Sequence, residues 1–306
     1  MPFENAAMES YPSLEEWTAA APEILGRMLH RWQLTPGDAF VGGANGSTLR
    51  VTQTDGSSAV LKVAFPHEEG KWEAVGLEAF PPPLRPVVLA QDPWTWSLLL
   101  SEISPGRSLA AGLGATDPRA ALAAAGRLHL ALTASPVPDA LPRLADAMRD
   151  YAAQARDRLP HQHNELLGLD VRGLVVAAID ELATLATTGP AHALLHGDFN
   201  PGNILDAGAD TWVAIDPKPL VGDAAYDLWP LVSQLGSPFA ASEPHHRLGE
   251  HLAIAADAAE VDAGRAARWG WARSGLNVSW LLAEGHEDAA AAEARALRSW
   301  AAVAGY

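Results

Sequence analysis

Cysteine is missing from this chain of 306 residues. Without thiols the protein cannot form disulfides, and it cannot bind a metal ion through thiolate ligands. Disulfides are typical of secreted proteins, whereas their absence is typical of the reducing cytoplasm. The sequence therefore excludes disulfide scaffolds and thiolate metal sites, and it favours a cytoplasmic location.

Long apolar runs are also missing. A membrane-spanning helix needs about 20 predominantly apolar residues, and the chain has no uncharged run of that length. The segment Met1–Asn5 has no basic stretch followed by an apolar one, so we expect no signal peptide. The sequence thus predicts a protein that neither crosses a membrane nor carries a secretion signal.

Basic residues are few. Lys and Arg together number 21, whereas Asp and Glu number 37, which gives a formal net charge of −16 at pH 7. Such an acidic surface repels nucleic acids and anionic membranes, and it attracts cations. We therefore expect no nucleic-acid partner and favour a small cationic one.

The first hundred residues predict a β-rich part with few helices. Apolar residues at helical spacing over 13–33 predict a helix, and Ser13 with Glu16 has the spacing of a capping box. Asp55-Gly56 lies between two β-prone runs, which is a strong signal for a hairpin turn. Four strands are predicted here, over 48–52, 59–63, 87–89 and 97–100, and one further helix is predicted over 67–80.

The rest of the chain predicts a mostly helical part, interrupted by one strand pair that carries the motifs described below. Pro, Gly and Ser residues over 104–108 mark the junction between the two parts. The predicted helices of the second part are 118–134, 139–158, 171–187, 223–236, 244–258, 262–284 and 287–303.

Two short apolar runs each end in an aspartate. Residues 194–205 read LLHGDFNPGNIL and residues 213–217 read VAIDP. Phosphoryl transfer from ATP needs one carboxylate near the attacking hydroxyl, and a second carboxylate with an amide oxygen to bind Mg²⁺. Asp198 is therefore the candidate catalytic base, and Asn203 and Asp216 are the candidate magnesium ligands. This spacing makes a small-molecule kinase the leading hypothesis.

Lys62 lies in the middle of an apolar, β-prone run. A buried ammonium is costly unless it meets a partner, so we expect Lys62 to bind the phosphates of ATP and a helix carboxylate. Glu69 and Glu73 are the two candidates for that carboxylate, and the position of Glu73 in its helix favours Glu73. The alternative is an edge-strand lysine that points to water.

Two further segments can contact the nucleotide. Backbone N–H groups of a Gly-rich turn, at Gly43, Asn45 and Ser47, can cover phosphates, although such turns are also common in plain hairpins. In a two-lobed kinase the linker after the last strand of the first lobe reads the adenine edge, which places Glu102 and Ile103 there.

The late helices offer candidates for the acceptor site. Trp269, Trp271 and Trp280 can line a substrate cleft, although core packing is the better interpretation for at least two of them. The carboxylates of Glu284, Glu287 and Asp288 can bind a guanidinium or ammonium group, with a solvated helix end as the equal alternative.

Asp223 and Asp227 lie at the start of a predicted helix, where Asp223 fits the N-cap position. The side chain of Asp227 can anchor the catalytic loop by binding the backbone amides of that loop.

A metallohydrolase is an alternative because His192 and His196 lie four residues apart, near Asp198. Two histidines at that spacing converge on one metal ion when they lie on a helix. This segment has the pattern of a strand and a turn, so we expect the two rings to diverge.

The sequence resembles the aminoglycoside phosphotransferase family, most closely its streptomycin 6-phosphotransferase and hydroxyurea phosphotransferase branch. The resemblance is carried by WVAIDPKPLVGD at 212–223 and YDLWP at 226–230. The segments 97–102 and 105–109 fit as well, as does Lys62.

This resemblance implies an α+β, protein-kinase-like fold of two lobes, a β-rich N-lobe over 1–101 and a mostly helical C-lobe over 102–306. It implies MgATP as the phosphate donor and a hydroxyl of a small cationic molecule as the acceptor. Lys62 would bind phosphate, and Lys218 would approach the γ-phosphate or the acceptor.

The leading hypothesis is a phosphotransferase that acts on an aminocyclitol antibiotic such as streptomycin and confers resistance. Hydroxyurea, a sugar or an amino alcohol is the alternative acceptor. A non-catalytic nucleotide-binding protein is a third alternative, against which the joint presence of Lys62, Asp198, Asn203 and Asp216 argues.

Overall fold

The computed structural model describes residues 12–40, 46–159 and 169–306. The chain divides into two compact units. Unit 1 contains the residues up to Gly106 together with Leu205–Pro219, and unit 2 contains Arg107–Ile204 and Leu220–Tyr306. The lobe boundary after residue 101 stays a prediction. The sequence order gave no sign that the segment 205–219 belongs with the first hundred residues.

Unit 1 contains a five-stranded antiparallel sheet in the spatial order β1-β2-β3-β5-β4. The predicted hairpin at Asp55-Gly56 is confirmed, and Gly56 has a φ of +84°, which favours glycine. The strands are β1 (Thr35–Ala39), β2 (Gly46–Thr52), β3 (Ser58–Ala64), β4 (Val88–Asp92) and β5 (Ser97–Ser101).

Helices cover both faces of this sheet. Helix α1 (Leu14–Arg31) begins with the predicted capping box, in which Ser13 and Glu16 each accept a backbone hydrogen bond from the other. Its buried side chains share one core with alternate residues of β3, which are Ala59, Leu61 and Val63. Helix α2 (Glu73–Ala79) packs through Leu77 on the opposite face. Lys62 alternates with the α1 core and so lies on the α2 face.

The described part of unit 2 is mostly helical. Close approach of backbones holds the bundle together. A Cβ at Gly275 would lie only 2.4 Å from Cβ of Ala178, so a small residue is needed where these two helices cross. The helices are α3 (Leu113–Thr116), α4 (Pro118–Thr133), α5 (Leu144–Arg158), α6 (Leu169–Thr187), α7 (Leu228–Gln234), α8 (Pro244–Ala258), α9 (Ala263–Ala283) and α10 (Glu287–Ala304).

Three predicted helices start later than expected. The helix predicted over 67–80 is a 3-10 turn, Gly70–Trp72, followed by α2. The helix predicted over 139–158 begins at Leu144, because the residues before it pair with a later segment: Val221 donates to the Pro142 carbonyl, and Arg143 forms a β-bridge to Val221. The helix predicted over 223–236 is a 3-10 turn, Ala224–Asp227, followed by α7.

The two motif runs do not pair with each other. β6 (Ala193–Leu195) pairs antiparallel with β9 (Leu220–Gly222), whereas β7 (Ile204–Asp206) pairs with β8 (Trp212–Ala214). The interpretation of these runs as one strand pair was therefore wrong. β6 is only three residues long and its partner β9 lies beyond β7 and β8 in sequence, and a local pattern does not show which partner a short strand takes.

Among the helices of the described residues, none combines the length and the hydrophobicity that a bilayer crossing requires.

Candidate active site

A lysine in unit 1 binds two carboxylates. Lys62 Nζ lies 2.8 and 2.7 Å from the two carboxylate oxygens of Glu73, and 2.5 Å from Oδ1 of Asp216. Glu73 is the first residue of α2, so the helix presents it to β3. The Lys62 and Glu73 side chains are 15% and 6% exposed, whereas that of Asp216 is 46% exposed. The lysine thus links an internal carboxylate to one at the surface.

The charges of this cluster set its protonation. Burial opposes the charge on Lys62, but the carboxylates of Glu73 and Asp216 outweigh it, so the pKa of Lys62 is raised and its ammonium stays charged at neutral pH. Burial raises the pKa of Glu73, and the negative charge of Asp216 adds to that effect. Two carboxylates share one ammonium, which leaves an excess negative charge suited to a cation.

The backbone at Asp216 is unusual. Its φ is +56°, in the left-handed region, which costs energy for a residue other than glycine but is tolerated best by Asp and Asn. Such strained residues cluster at functional sites. Two residues later, Lys218 Nζ lies 3.7 Å from a carboxylate oxygen of Glu69, and both side chains are partly exposed. The two candidate carboxylates Glu69 and Glu73 therefore each pair with a different lysine.

A tight loop in unit 2 carries Asp198. Asn200 Nδ2 donates to Oδ1 of Asp198 at 3.0 Å, and Asn200 Oδ1 accepts from the N–H groups of Gly202 and Asn203. Asn203 Nδ2 donates to the backbone carbonyl of Asp198 at 3.0 Å. The amide nitrogen of Asn203 is thus used within the loop, and only its amide oxygen could serve as a metal ligand.

The side chain of Asp227 anchors this loop through the loop backbone. Its two carboxylate oxygens accept hydrogen bonds from the backbone N–H groups of His196 (2.8 Å) and Gly197 (2.9 Å). Asp227 is fully buried. Burial works against its ionisation, but the rings of His129 and His196 and the His196 N–H group outweigh it and lower the pKa of Asp227. The predicted contact to the loop amides is thus present, and it is made by a carboxylate.

A second buried network surrounds Asp223. Its Oδ1 accepts from the N–H of Ala225, which confirms the predicted N-cap at the 3-10 turn. Its Oδ2 accepts from the indole of Trp269 at 2.6 Å and from the guanidinium of Arg265. Arg265 also donates to the carbonyls of Leu185 and Thr188, beside the end of α6. This network ties the turn that carries Asp227 to the helices.

The remaining nucleotide-side candidates have mixed placements. Ser47 lies on β2, opposite Val63 in register. Glu102 follows β5 directly and its carboxylate binds Arg50, which lowers the pKa of Glu102. Ile103 is the next residue along this linker, with no secondary structure assigned. Gly43 and Asn45 lie outside the described residues, so their proposed contact with phosphate stays a prediction.

The acceptor-side candidates differ in exposure. The Trp280 ring is partly buried and packs edge-on against Tyr151, with centroids 5.1 Å apart. Glu284 ends α9, is exposed, and lies 3.6 Å from Nε2 of His286. Trp269 and Trp271 are fully buried, as expected for core residues.

The metallohydrolase alternative does not fit the histidines. His196 is buried and its Nδ1 accepts from the Asp198 N–H at 3.3 Å, whereas His192 is exposed. Within the described ranges, no group of three or more His, Cys, Asp or Glu side chains is arranged to hold a metal ion.

Two residues of the site escaped the sequence reasoning. Asn200 orients Asp198, and its only sequence signal is its place in an Asn-Pro-Gly-Asn turn, where Asn binds nearby backbone. His129 is fully buried on α4, with its Nε2 3.7 Å from Asp227 and its ring against Phe199. A single histidine in an apolar helix carries no signal of such a contact.

Comparison with known proteins identifies the family. The model of the aminoglycoside/hydroxyurea antibiotic resistance kinase family matches residues 31–285. This chain belongs to that family. As one of its kinases, it is a phosphotransferase that uses ATP, and the predicted branch is confirmed.

Relatives of this kinase match it over nearly its whole length. It is 31% identical to a streptomycin 6-kinase of Streptomyces glaucescens over 93% of this chain and 91% of that protein. It is 31% identical to a hydroxyurea phosphotransferase of Kitasatospora aureofaciens, over 88% of this chain and 76% of that protein.

Solved structures confirm the predicted kinase-like fold. A choline/ethanolamine kinase family protein of Mesorhizobium loti matches with a TM-score of 0.63 at 20% identity, over 95% of this chain and 98% of that one. Amicoumacin kinase, solved with AMP-PNP, Ca²⁺ and amicoumacin, matches with a TM-score of 0.60 at 17% identity, over 93% and 95%. At these identities the likeness shows the fold alone.

Proposed function

We propose that this enzyme transfers the γ-phosphate of ATP to a hydroxyl group of a small cationic acceptor, an aminocyclitol antibiotic such as streptomycin. The observation that carries the proposal is the match along nearly the whole chain to two proteins named streptomycin 6-kinase, from Streptomyces glaucescens and Streptomyces griseus. The net charge of −16 suits a cationic acceptor.

On the donor side, Lys62 binds the phosphates of ATP while Glu73 holds its ammonium in place. Asp216 and Asn203 supply oxygen ligands to Mg²⁺. When bound, Mg²⁺ neutralises charge on the phosphates. The nucleotide contacts are completed by backbone groups at Gly43, Asn45 and Ser47 and by the linker residues Glu102 and Ile103. These five residues are proposed from their order along the chain.

Asp198 receives the proton of the acceptor hydroxyl as the hydroxyl oxygen bonds to phosphorus and ADP leaves. Asn200 holds one oxygen of Asp198, and Asp227 fixes the loop through two amides, so the carboxylate keeps one orientation between turnovers. Lys218 stabilises charge on the transferred phosphate or the acceptor, and Trp280 and Glu284 contact a cationic acceptor.

Hydroxyurea is a second candidate acceptor. The 31% identity to a hydroxyurea phosphotransferase over 88% of this chain favours it. A non-catalytic role is disfavoured, because the Lys62–Glu73–Asp216 cluster is formed and the Asp198 loop is ordered by its own hydrogen bonds.

The test is an assay of purified enzyme with MgATP and a panel of acceptors: streptomycin, hydroxyurea and choline. ADP release is measured together with the mass of the product. Phosphorylated streptomycin supports the proposal. ADP release only with hydroxyurea would transfer the assignment to that acceptor.

Asp198→Asn tests the catalytic base. A positioned base contributes about 10²–10⁴-fold to the rate, so kcat with the true acceptor should fall at least about 100-fold. ATP affinity, measured by calorimetry, should stay unchanged. Asp210→Asn is the matched control, since Asp210 is exposed and its φ of +57° suits Asn. Retention of more than about a tenth of kcat in Asp198→Asn would contradict the role.

A further inference from the structure

Residues 69–76, at and before the start of α2, contact the segment Asp216–Pro219 at three places. Glu69 lies directly before the 3-10 turn Gly70–Trp72 that leads into α2, whereas Glu73 and Gly76 are three residues apart on one face of α2. Glu69 pairs with Lys218, and Glu73 reaches Asp216 through Lys62. All of these residues belong to unit 1. The chain around the start of α2 therefore contacts the segment Asp216–Pro219 through charges at Glu69 and at Glu73.

The third contact is steric. A Cβ at Gly76 would lie 2.8 Å from both Cβ and Cγ of Pro219 and 3.4 Å from Cγ of Pro217. Gly76, Pro217 and Pro219 are all buried. Both prolines have rigid rings that cannot turn aside as a flexible side chain can. The helix can thus lie at this distance from the segment only because residue 76 has no side chain.

We propose that Gly76 is a positioning residue for Asp216, because the fit of the helix backbone against Pro217 and Pro219 sets where the Asp216 carboxylate lies. This inference rests on the proposed role of Asp216 as a metal ligand. The left-handed backbone at Asp216 needs support from its surroundings, and the two prolines that follow provide a rigid surface for it. Helix α2 thereby positions both Lys62, through Glu73, and Asp216.

Gly76→Ala is the test, read out as ATP binding. The quantity is the ratio of the ATP dissociation constant in EDTA to that in excess Mg²⁺, measured by calorimetry. Asp216→Ala sets the reference, and its ratio should be close to one. Gly76→Ala should lower the wild-type ratio about tenfold, while binding in EDTA stays near wild type because Lys62 keeps Glu73.

Matched controls are Gly26→Ala on α1 and Gly173→Ala on α6. Both glycines are exposed within helices, and a Cβ at either one would meet nothing within 4 Å. Alanine should raise the melting temperature slightly at these positions, because it favours helix more than glycine does. The magnesium ratio of both controls should equal that of the wild type.

Rescue separates positioning from general damage. Pro219→Gly removes the two atoms that the new methyl group would strike, so Gly76→Ala/Pro219→Gly should regain most of the magnesium ratio lost in Gly76→Ala. If Gly76→Ala does not fold, recovery of folding in the double variant supports the contact. An unchanged ratio in Gly76→Ala overturns the proposal, as does a double variant that recovers neither the ratio nor folding.

The outcome is independent of the acceptor. If the wild type binds MgATP with a large magnesium ratio but phosphorylates none of the acceptors, the acceptor assignment fails and the positioning role of Gly76 stands. If the wild type phosphorylates streptomycin and the magnesium ratio of Gly76→Ala equals that of the wild type, only the positioning role of Gly76 fails.

Discussion

At the scale of single residues, Asp227 shows what a buried charge can do outside the reacting atoms. Its carboxylate is fully buried and holds two consecutive backbone amides of the loop that carries Asp198. A buried carboxylate is tolerated only when hydrogen bonds and neighbouring charges offset the loss of water. The loop and the carboxylate therefore stabilise each other.

Asp227→Asn should destabilise the protein and slow transfer. The amide can accept only through one atom, so one loop N–H loses its partner, and breaking such a buried charged network costs about 3–5 kcal/mol. Because the pKa of Asp227 in the folded protein lies below its value in the unfolded chain, its ionised form stabilises the fold above about pH 4. That stabilisation is lost as pH falls through the folded-state pKa.

Denaturant unfolding of the wild type and Asp227→Asn at a series of pH values measures this. The difference in free energy of unfolding should be constant near neutral pH and shrink in acid. Asp180→Asn is the control, since Asp180 forms an exposed pair with Arg156 that should contribute less than about 1 kcal/mol. A difference for Asp227→Asn that is independent of pH would contradict the assigned ionisation.

Residues could be predicted from the sequence where a reaction dictates both type and spacing. Asp198, Asn203 and Asp216 could be proposed from the sequence because phosphoryl transfer needs those groups in that order. Asn200 and His129 were missed because they act through contacts that only the folded loop creates. Glu73 could be chosen over Glu69 only weakly, since the sequence pattern did not show that α2 begins at Glu73, and the structure gives each carboxylate its own lysine.

At the scale of elements, the contact between α9 and α10 contains a carboxyl group that works against the fold. Glu293 on α10 accepts a hydrogen bond from Ser274 on α9. Burial raises the pKa of Glu293, although hydrogen bonds from Ser274 and Asn277 oppose that effect. A carboxyl group with a raised pKa favours the fold most when protonated, and the benefit is lost as pH rises through the folded-state pKa.

Glu293→Gln should therefore stabilise the protein at pH 7. Glutamine keeps an acceptor oxygen and carries no charge, and the expected gain is about 1 kcal/mol, the usual size of a single stabilising substitution. Thermal unfolding should show a higher melting temperature at pH 7 and no difference below about pH 4, where both side chains are neutral. Glu250→Gln, at an exposed position of α8, should show no such gain. Equal melting temperatures at pH 7 would refute the proposed penalty.

Long elements could be predicted more completely than short ones. The helix predicted over 244–258 matches α8 residue for residue, because fifteen residues of pattern define a period. The capping box of α1 and the hairpin between β2 and β3 have local signals as well. In contrast, β6 has three residues, and its partner is β9 rather than β7 or β8, which are nearer in sequence.

At the scale of the whole molecule, the net charge of −16 should attract a cationic acceptor and so lower its KM. KM for streptomycin, a cation, should rise with ionic strength, because salt screens exposed charges beyond about 8 Å at physiological concentration. KM for uncharged hydroxyurea should not change. Steady-state kinetics over a salt series measure both.

Glu284→Gln tests in the same experiment whether this one carboxylate contacts the acceptor. If Glu284 binds the acceptor, the substitution raises KM for streptomycin further at low salt; if it is a solvated end of α9, KM stays at the wild-type value. Glu250→Gln removes the same charge from an exposed site on α8 and serves as the matched control. A KM for streptomycin that is independent of salt would contradict the role of the acidic surface.

The discontinuous path of unit 1 bears on how genes of this family can recombine. Lys62 and Glu73 belong to the stretch that ends at Gly106, while Asp216 and the prolines that fit against Gly76 belong to Leu205–Pro219. A single crossover between residues 107 and 204 would join the lysine and helix of one parent to the aspartate segment of the other. Chimeras that inherit both stretches from one parent keep Lys62, Glu73 and Gly76 together with the Asp216 segment that they contact.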